Sequence, residues 1–222
     1  MHRALAPRRS PAGRPQASRT ALRLAPGLRV GLYGGSFNPP HLGHAHVADY
    51  ARRRLHLDRI LWLVTPGNPL KDEGELEPLE QRLAEVRALA GRSDSVVTDL
   101  ERHIGSRYTV DTVRWLKARY PGVRFVWIMG ADNLAGFHRW KGWADLMREV
   151  PVAVVSRPEL ALRSRFSPAA RRFASKRLPL EAAALLPETT PPAWVYIPAP
   201  FRFVSSTALR KTRLKNGRGH AI

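Results

Sequence analysis

A glycine-rich turn joins a short apolar strand to a helical pattern, and it constrains the fold more than any other feature of the sequence. The run before the turn, residues 30–33, is typical of a buried strand. Gly34 and Gly35 permit a tight turn and a close approach of the backbone to a ligand. His41 and His44 share one face at the predicted helix start, near its N–H groups and the positive end of its dipole. Small residues, N–H donors and imidazoles together suit the binding of phosphate.

Strand-like runs alternate with helical patterns along the chain. The predicted strands cover 29–33, 60–64, 96–97, 125–129, 152–155 and 194–197. The predicted helices cover 41–57, 78–90 and 108–119, and a last helix starts at Ser205. This alternation predicts an α/β fold, a doubly wound, Rossmann-like parallel sheet with helices on both faces. Ligands of such folds bind at the carboxyl ends of the strands, and the motifs described below fall there.

The positive charge of the chain is high and unevenly distributed. The formal net charge is +19, and residues 1–28 are rich in Arg and Pro with no acidic residue. Such a segment buries too little apolar area to fold, so we expect a disordered basic tail or an over-long start assignment. We predict one domain over 29–215, followed by a flexible C-terminus over 216–222. The basic, irregular segment 157–192 has no role that the sequence reveals.

Composition excludes several classes of protein. The chain contains no Cys, which excludes disulfides, iron–sulfur clusters and Cys-based zinc sites. No apolar run approaches the roughly 20 residues that cross a bilayer, so we expect a soluble, cytoplasmic protein without membrane contacts. The charge favours anionic partners, but no basic motif interleaved with aromatic residues predicts specific nucleic-acid binding. A basic nucleic-acid-binding protein on a nucleotide-binding fold is the alternative from another class.

Two strings carry a family resemblance. The string GGSFNPPHLGH at 34–44 and the string SSTALR at 205–210 resemble the HxGH and SSTxxR elements of the nucleotidylyltransferase superfamily. The resemblance implies that His41, His44 and Arg210 stabilise charge at the reacting phosphates. It also implies an ATP-binding set made of Gly34, Gly35, Ser36, Phe37, Gly43, Ser205, Ser206 and Thr207.

Three further strings resemble the bacterial-type nicotinate-nucleotide adenylyltransferase family. They are WLVTPGNPLK at 62–71, SRYTVDT at 106–112, with Arg107 as an extra residue, and IMGADN at 128–133 followed by RWK at 139–141. The resemblance, which spans about residues 29–212, places Gly130 and Asp132 on the ATP side. It implies that nicotinate mononucleotide is bound by Asn38, Lys71, Thr109, Trp140 and Lys141.

Each of these side chains also has a physical interpretation. Trp140 offers a π face to the cationic pyridinium ring, and Lys141 could attract the nicotinate carboxylate. The alternative is that Trp140 and Trp143 simply pack on a helix, and that Asp111 is a buried helix cap. Zinc binding by the histidines is disfavoured because helical periodicity turns His46 away from the face of the other two.

The resemblance implies adenylyl transfer from ATP to nicotinate mononucleotide, giving nicotinate adenine dinucleotide and pyrophosphate in NAD biosynthesis. A phosphate monoester has its second pKa near about 6, so it is already dianionic and needs no general base. We therefore expect direct in-line displacement without a covalent enzyme intermediate, with Mg²⁺ bound through the ATP phosphates. The alternative substrate is phosphopantetheine; a class I aminoacyl-tRNA synthetase would need a KMSKS-like loop, which is absent. Both a monomer and a homo-oligomer are compatible with the sequence.

Overall fold

The computed structural model describes residues 22–67, 76–156 and 164–199. Seven parallel strands among these residues form one sheet, in the order β3-β2-β1-β4-β5-β7-β6. The strands are β1 Arg29–Gly35, β2 Arg59–Val64, β3 Ser95–Thr98, β4 Arg124–Gly130, β5 Val152–Ser156, β6 Arg177–Leu178 and β7 Trp194–Pro198. The α-helices are α1 Leu42–Leu55, α2 Leu79–Ala90, α3 Leu100–His103, α4 Thr109–Arg119, α5 Ala131–Gly136, α6 Trp143–Glu149 and α7 Pro168–Arg172. Three 3₁₀ segments complete the described elements, at Phe137–Arg139, Ala174–Lys176 and Leu180–Glu188.

The strand order reverses direction at β1, which lies between β2 on one side and β4 on the other. The register pairs Tyr33 of β1 with Trp62 of β2 and with Ile128 of β4. The chain winds from β1 toward β3 and then returns to build the other half of the sheet from β4. This is a doubly wound sheet, so the predicted fold class is confirmed.

The helices cover both faces of the sheet because successive side chains of each strand point to opposite faces. Val126 and Ile128 of β4 join a core cluster with α1, α2 and the 3₁₀ segment Leu180–Glu188. Phe125, Trp127 and Met129 of the same strand join a second cluster with α4, α5 and α6. Both faces of the central strands are therefore buried, as expected for a parallel sheet.

Helix α1 begins and ends close to the predicted bounds. His41 is its N-cap, and His56 stops it two residues before the predicted end by taking a left-handed backbone with φ 51° and ψ 47°. Four short helices, α3, α5, α6 and α7, and the two-residue edge strand β6 were not predicted. Segments of two to seven residues are too short to establish a hydrophobic period, so the pattern could not reveal them.

The amino-terminal boundary of the domain corrects the prediction. Leu22, Leu24 and Leu28, predicted to belong to the disordered tail, pack against the core. The N–H of Gly27 also donates to the carbonyl of Gly122 at 2.8 Å. The folded unit therefore includes residues from 22 onward, while the rest of the predicted tail, the helix from Ser205 and the flexible C-terminus lie outside the described residues. No helix in the described ranges is long and apolar enough to cross a bilayer.

Candidate active site

Those predicted nucleotide-binding residues that the structure describes lie at the carboxyl edge of the two central strands. β1 ends at Gly35, and its loop leads into α1. The adjacent β4 ends at Gly130, which directly precedes α5. A crevice at the point where strand order reverses is the usual ligand site of a doubly wound sheet. The two predicted ATP-side strings, distant in sequence, are thus brought to one edge of the sheet.

His41 and His44 form a stacked pair at the start of α1. Their ring centroids are 3.8 Å apart with an angle of 29° between the planes. The backbone N–H of His41 donates to Nδ1 of His44 at 3.2 Å. An imidazole that accepts through Nδ1 carries its proton on Nε2 when neutral. His44 is thereby oriented as an Nε2–H donor at a helix end whose dipole favours anions.

Phe37 supplies the sharp bend of the glycine-rich turn. It takes a left-handed backbone with φ 45°, whereas neither Gly34 nor Gly35 lies in that region. Its ring is buried and stands edge-on to Tyr33, with the ring centroids 5.4 Å apart. The prediction that the two glycines make the turn is wrong in this respect, because the bend falls two residues later. Ser36, immediately before the bend, is half-buried, and Gly43 is buried in the first turn of α1.

The two glycines make room for aromatic rings of the protein itself. A Cβ atom on Gly34 would collide with the indole of Trp127, and one on Gly35 would lie 3.1 Å from the ring of Phe37. Gly130, at the end of β4, makes room for a carboxylate in the same way, because a Cβ atom there would collide with Oδ1 of Asp132. The carboxylate of Asp132 thus folds back toward the strand end from an exposed position in the first turn of α5.

Arg82 is a buried cation beneath the site that sequence reasoning missed. Only 1% of the residue is exposed, and its guanidinium donates to backbone carbonyls of the loops after β1 and β2 and before α2. Burial lowers the pKa of Arg82, and the charge of Glu77 partly opposes that shift. A signal existed in the sequence, because Arg82 lies on the same helical stripe as Leu83 and Val86, which face the core.

Asn38 has a structural contact that its predicted substrate-binding role did not include. It is buried, and its Oδ1 accepts a hydrogen bond from the backbone N–H of Glu77 at 3.0 Å. The bond joins the loop after β1 to the segment that leads into α2. Asn38 therefore lies at the predicted edge of the sheet and also holds two of its loops together.

The predicted pyridine-side residues come together from two distant strings. Trp140 is half-buried and packs edge-on against Trp127, with ring centroids 6.3 Å apart. Lys141 places Nζ 5.0 Å from the ring centroid of Tyr108, the residue immediately before Thr109 at the start of α4. The strings at 106–112 and 139–141 thus share one surface. Trp143, in contrast, packs at the start of α6 as the alternative interpretation proposed.

A buried hydroxyl network supports the start of α4. Thr112 Oγ1 lies 2.9 Å from Ser106 Oγ and 3.4 Å from Oε1 of the buried Glu101. Burial raises the pKa of Glu101, and hydrogen bonds from Thr65 and Thr112 oppose that shift. Ser106 Oγ also donates to the carbonyl of Tyr108 at 3.0 Å, and the extra Arg107 between them is exposed.

The structure resolves two alternative interpretations. Asp111 is exposed and forms an ion pair with Arg114 at 3.7 Å, so it is neither buried nor the cap of α4. His46 stacks on Tyr50 instead of joining the other two histidines, and burial lowers its pKa. Within 22–67, 76–156 and 164–199, no cluster of three His, Cys, Asp or Glu side chains could hold a metal ion.

Several predicted site residues lie outside the described part of the chain. They are Lys71, Ser205, Ser206, Thr207 and Arg210. Their roles stay predictions. The described part of the site therefore consists of the loop after β1, the ends of β2 and β4, and the starts of α1, α4 and α5.

Solved structures with a similar fold support the architecture described above. A nicotinic acid mononucleotide adenylyltransferase of Plasmodium falciparum, complexed with NaAD, superposes with a TM-score of 0.64 at 18% identity, covering 83% of each chain. The same protein complexed with APC superposes with a TM-score of 0.62. At this identity the likeness concerns the fold alone.

Comparison of sequences identifies the family. The cytidylyltransferase-like family model matches residues 32–212. A probable nicotinate-nucleotide adenylyltransferase of a Caulobacter species is 61% identical over 188 residues, covering 85% of this chain and 100% of the relative. One of Methylorubrum extorquens is 54% identical over 183 residues, covering 82% of this chain and 99% of the relative. The predicted resemblance is confirmed, and the chain belongs to the nicotinate-nucleotide adenylyltransferase family of the cytidylyltransferase-like superfamily.

Proposed function

We propose that this chain transfers the adenylyl group of ATP to nicotinate mononucleotide, giving nicotinate adenine dinucleotide and pyrophosphate in NAD biosynthesis. The observation that carries the proposal is the stacked pair of His41 and His44 at the start of α1, at the carboxyl edge of β1. The family to which the chain belongs carries out this reaction. A cytoplasmic location, where ATP is available, accompanies the proposal.

The proposed chemistry is a single in-line displacement. A phosphate oxygen of nicotinate mononucleotide attacks the α-phosphorus of ATP, its new P–O bond forms, and the bond to the leaving pyrophosphate breaks. The nucleophile is largely dianionic at neutral pH because its second pKa is near about 6, so no general base has to remove a proton. The main obstacle is repulsion between two polyanions, so the protein contributes by positioning and by neutralising charge.

The histidine pair is the proposed source of that neutralisation. His44 donates through Nε2–H because its Nδ1 is held by the backbone N–H of His41. The donor lies at the positive end of a 14-residue helix, where negative charge is stabilised. We assign the Gly34–Phe37 turn, Gly43 and Gly130 to the walls of the ATP site, and Asp132 to the ribose hydroxyls. Arg210 and the Ser205–Thr207 hydroxyls are the proposed further phosphate donors.

The proposed Mg²⁺ ion arrives with the nucleotide. The described residues contain no cluster of three carboxylate or imidazole groups that could hold a metal. Mg²⁺ is commonly bound through substrate phosphates with few protein ligands, and the site fits an ion carried in this way. When bound, the ion reduces the negative charge of the triphosphate.

The pyridine side of the substrate is assigned to the surface shared by α4 and the 139–141 turn. Trp140 is held edge-on by Trp127 and Phe137, which orients its indole for stacking on the pyridinium ring. Lys141 carries the positive charge proposed to attract the nicotinate carboxylate, which nicotinamide lacks. Thr109, at the start of α4, supplies a further donor to that carboxylate. Asn38 and Lys71 are assigned to the substrate phosphate.

Pyrophosphate release from Mg·ATP tests the proposed function. The purified protein is compared with nicotinate mononucleotide, nicotinamide mononucleotide and phosphopantetheine as acceptors. Release with nicotinate mononucleotide, and much slower release with the amide, supports the proposal. Release with phosphopantetheine alone would keep the chemistry and overturn the substrate, and no release with any acceptor would overturn both.

A further inference from the structure

We propose that Arg82 is a positioning residue that fixes the loop after β1, which carries predicted nucleotide-binding residues, against the start of the loop after β2. The inference rests on the proposed function, since it concerns how that one site is assembled. Arg82 lies on α2, which contributes no residue to the predicted catalytic or binding sets. Its guanidinium nevertheless contacts the loop after β1, which carries Ser36, Phe37 and Asn38 of those sets, and the start of the loop after β2.

The contacts of Arg82 join three separate segments of backbone. Nη1 donates to the carbonyls of Ser36 and Thr65, each at 2.8 Å. Nη2 donates to the carbonyl of Pro66 at 3.2 Å, and Nε to the carbonyl of Glu77 at 2.8 Å. A planar guanidinium presents its N–H bonds in a fixed fork, so these carbonyls are held at set positions relative to one another. A flexible ammonium with three donors could not reproduce all four contacts.

The hydrogen bond to Ser36 also orients the phosphate loop. A trans peptide places its C=O and N–H on opposite sides, and the Ser36–Phe37 bond is not among the cis bonds of the described residues. With the Ser36 carbonyl turned toward Arg82, the N–H of Phe37 points away from the guanidinium. An N–H that points away from the cation in this way is suited to an anion on that side of the loop.

The strained residue of the loop is held on both sides. Phe37, with φ 45°, is flanked by Ser36, whose carbonyl bonds Arg82, and by Asn38, whose Oδ1 bonds the N–H of Glu77. Glu77 in turn gives its carbonyl to Arg82, which closes the set of contacts. An uncommon backbone conformation persists when its surroundings over-determine it, and Arg82 takes part in both restraints.

Stability alone does not account for a cation at this position. Arg82 shares its stripe on α2 with Leu83 and Val86, and the acceptors of its hydrogen bonds are carbonyls rather than a carboxylate. Desolvating a charge is costly, and an apolar side chain of similar volume avoids that cost. What an apolar side chain could not do is hold carbonyls of two site loops in one geometry.

The test compares Arg82→Lys and Arg82→Met with Arg87→Met, an exposed arginine on the same helix. Rates are normalised to the concentration of sites that bind α,β-methylene ATP, so that unfolded protein does not count. We expect kcat per site to fall at least about 30-fold in Arg82→Met and less in Arg82→Lys, with KM for ATP changed less than about threefold, because small misplacements of reacting groups reduce the chemical step. Arg87→Met should retain wild-type kinetics.

Each outcome decides the inference separately from the proposed function. A wild-type kcat per site in the Arg82 variants would overturn the inference, since it would show a purely structural role. A loss that appears only as raised KM would overturn it as well. If Arg82→Met does not fold, Arg82→Lys carries the test: its kcat per site should still fall below that of Arg87→Met, with KM for ATP changed less than about threefold. An inactive wild-type protein would instead overturn the proposed function.

Discussion

Nδ1 of His44 accepts a hydrogen bond from the backbone N–H of His41 at 3.2 Å, while the two imidazoles stack with centroids 3.8 Å apart. The first relationship selects the tautomer with a proton on Nε2, and the second restricts the ring orientation. A helix start thus provides a pre-oriented neutral donor. Preorganised donors of this kind stabilise charge that develops in a transition state without having to reorient.

Replacing His44 is expected to reduce turnover rather than ATP binding. His44→Ala should lower kcat on the order of 100-fold, the usual effect of removing one oriented donor, with a much smaller rise in KM for ATP. His44→Asn keeps an acceptor near the Nδ1 position, and His44→Gln a donor near Nε2, so Gln should retain more activity than Asn. Steady-state kinetics measure this, and a raised KM with unchanged kcat would contradict the assignment.

Trp140→Ala is expected to weaken the binding of nicotinate mononucleotide roughly tenfold. The substitution removes the indole on which the cationic pyridinium ring is proposed to stack. Affinity for ATP should stay nearly unchanged. Isothermal titration with each ligand separately measures the effect. Trp115→Ala, which removes a partly exposed tryptophan on α4, is the control. Equal losses for both ligands would indicate that Trp140 serves packing against Trp127 instead.

Lys141 is expected to influence the choice between the acid and the amide substrate. Lys141→Gln should reduce the ratio of kcat/KM for nicotinate over nicotinamide mononucleotide about fivefold, the scale of one partly solvated ion pair. Lys141→Arg preserves the charge and should retain most of the ratio. Both variants are assayed by pyrophosphate release with the two mononucleotides. An unchanged ratio in Lys141→Gln would assign Lys141 to its contact with Tyr108 alone.

Glu101 is expected to make stability depend on pH. Burial raises its pKa in the folded protein above the ordinary 4.5, so the folded state binds the proton more tightly than the unfolded chain does. Its contribution is most favourable below about pH 4.5 and is lost as pH rises through the folded pKa. The melting temperature of Glu101→Gln should therefore gain on that of wild type between pH 4.5 and 7. A constant difference across that range would contradict the raised pKa.

Periodicity and turn chemistry made much of the fold predictable. β1, β2, β4 and β5 are runs of buried residues bounded by polar or glycine-containing turns, and such local patterns establish strand identity without tertiary information. Their alternation with α1, α2 and α4 implies parallel pairing, because a helix returns the chain to the same edge of the sheet. The sequence alone therefore assigns the motifs after β1 and β4 to one crevice.

Packing between distant segments could not be predicted in this way. The indole of Trp127 fills the space beside Gly34. Leu22, Leu24 and Leu28 pack against a core to which distant segments of the chain contribute. The hydrogen bond beside the bend at Phe37 is likewise long-range, since 46 residues separate Ser36 from the guanidinium of Arg82 that donates to its carbonyl. None of these contacts produces a hydrophobic periodicity that could be recognised in the local sequence.

By itself, the sequence determined the family, the parallel α/β architecture and the edge of the sheet where the strings after β1 and β4 lie. These follow from local composition and from short strings whose order along the chain matches the order of the strands. Only the tertiary structure decided the tautomer of His44, the pairing of Lys141 with Tyr108 and the contacts of Arg82. Those depend on the distances and directions between polar atoms, which arise when packed side chains and loops exclude water and restrict one another.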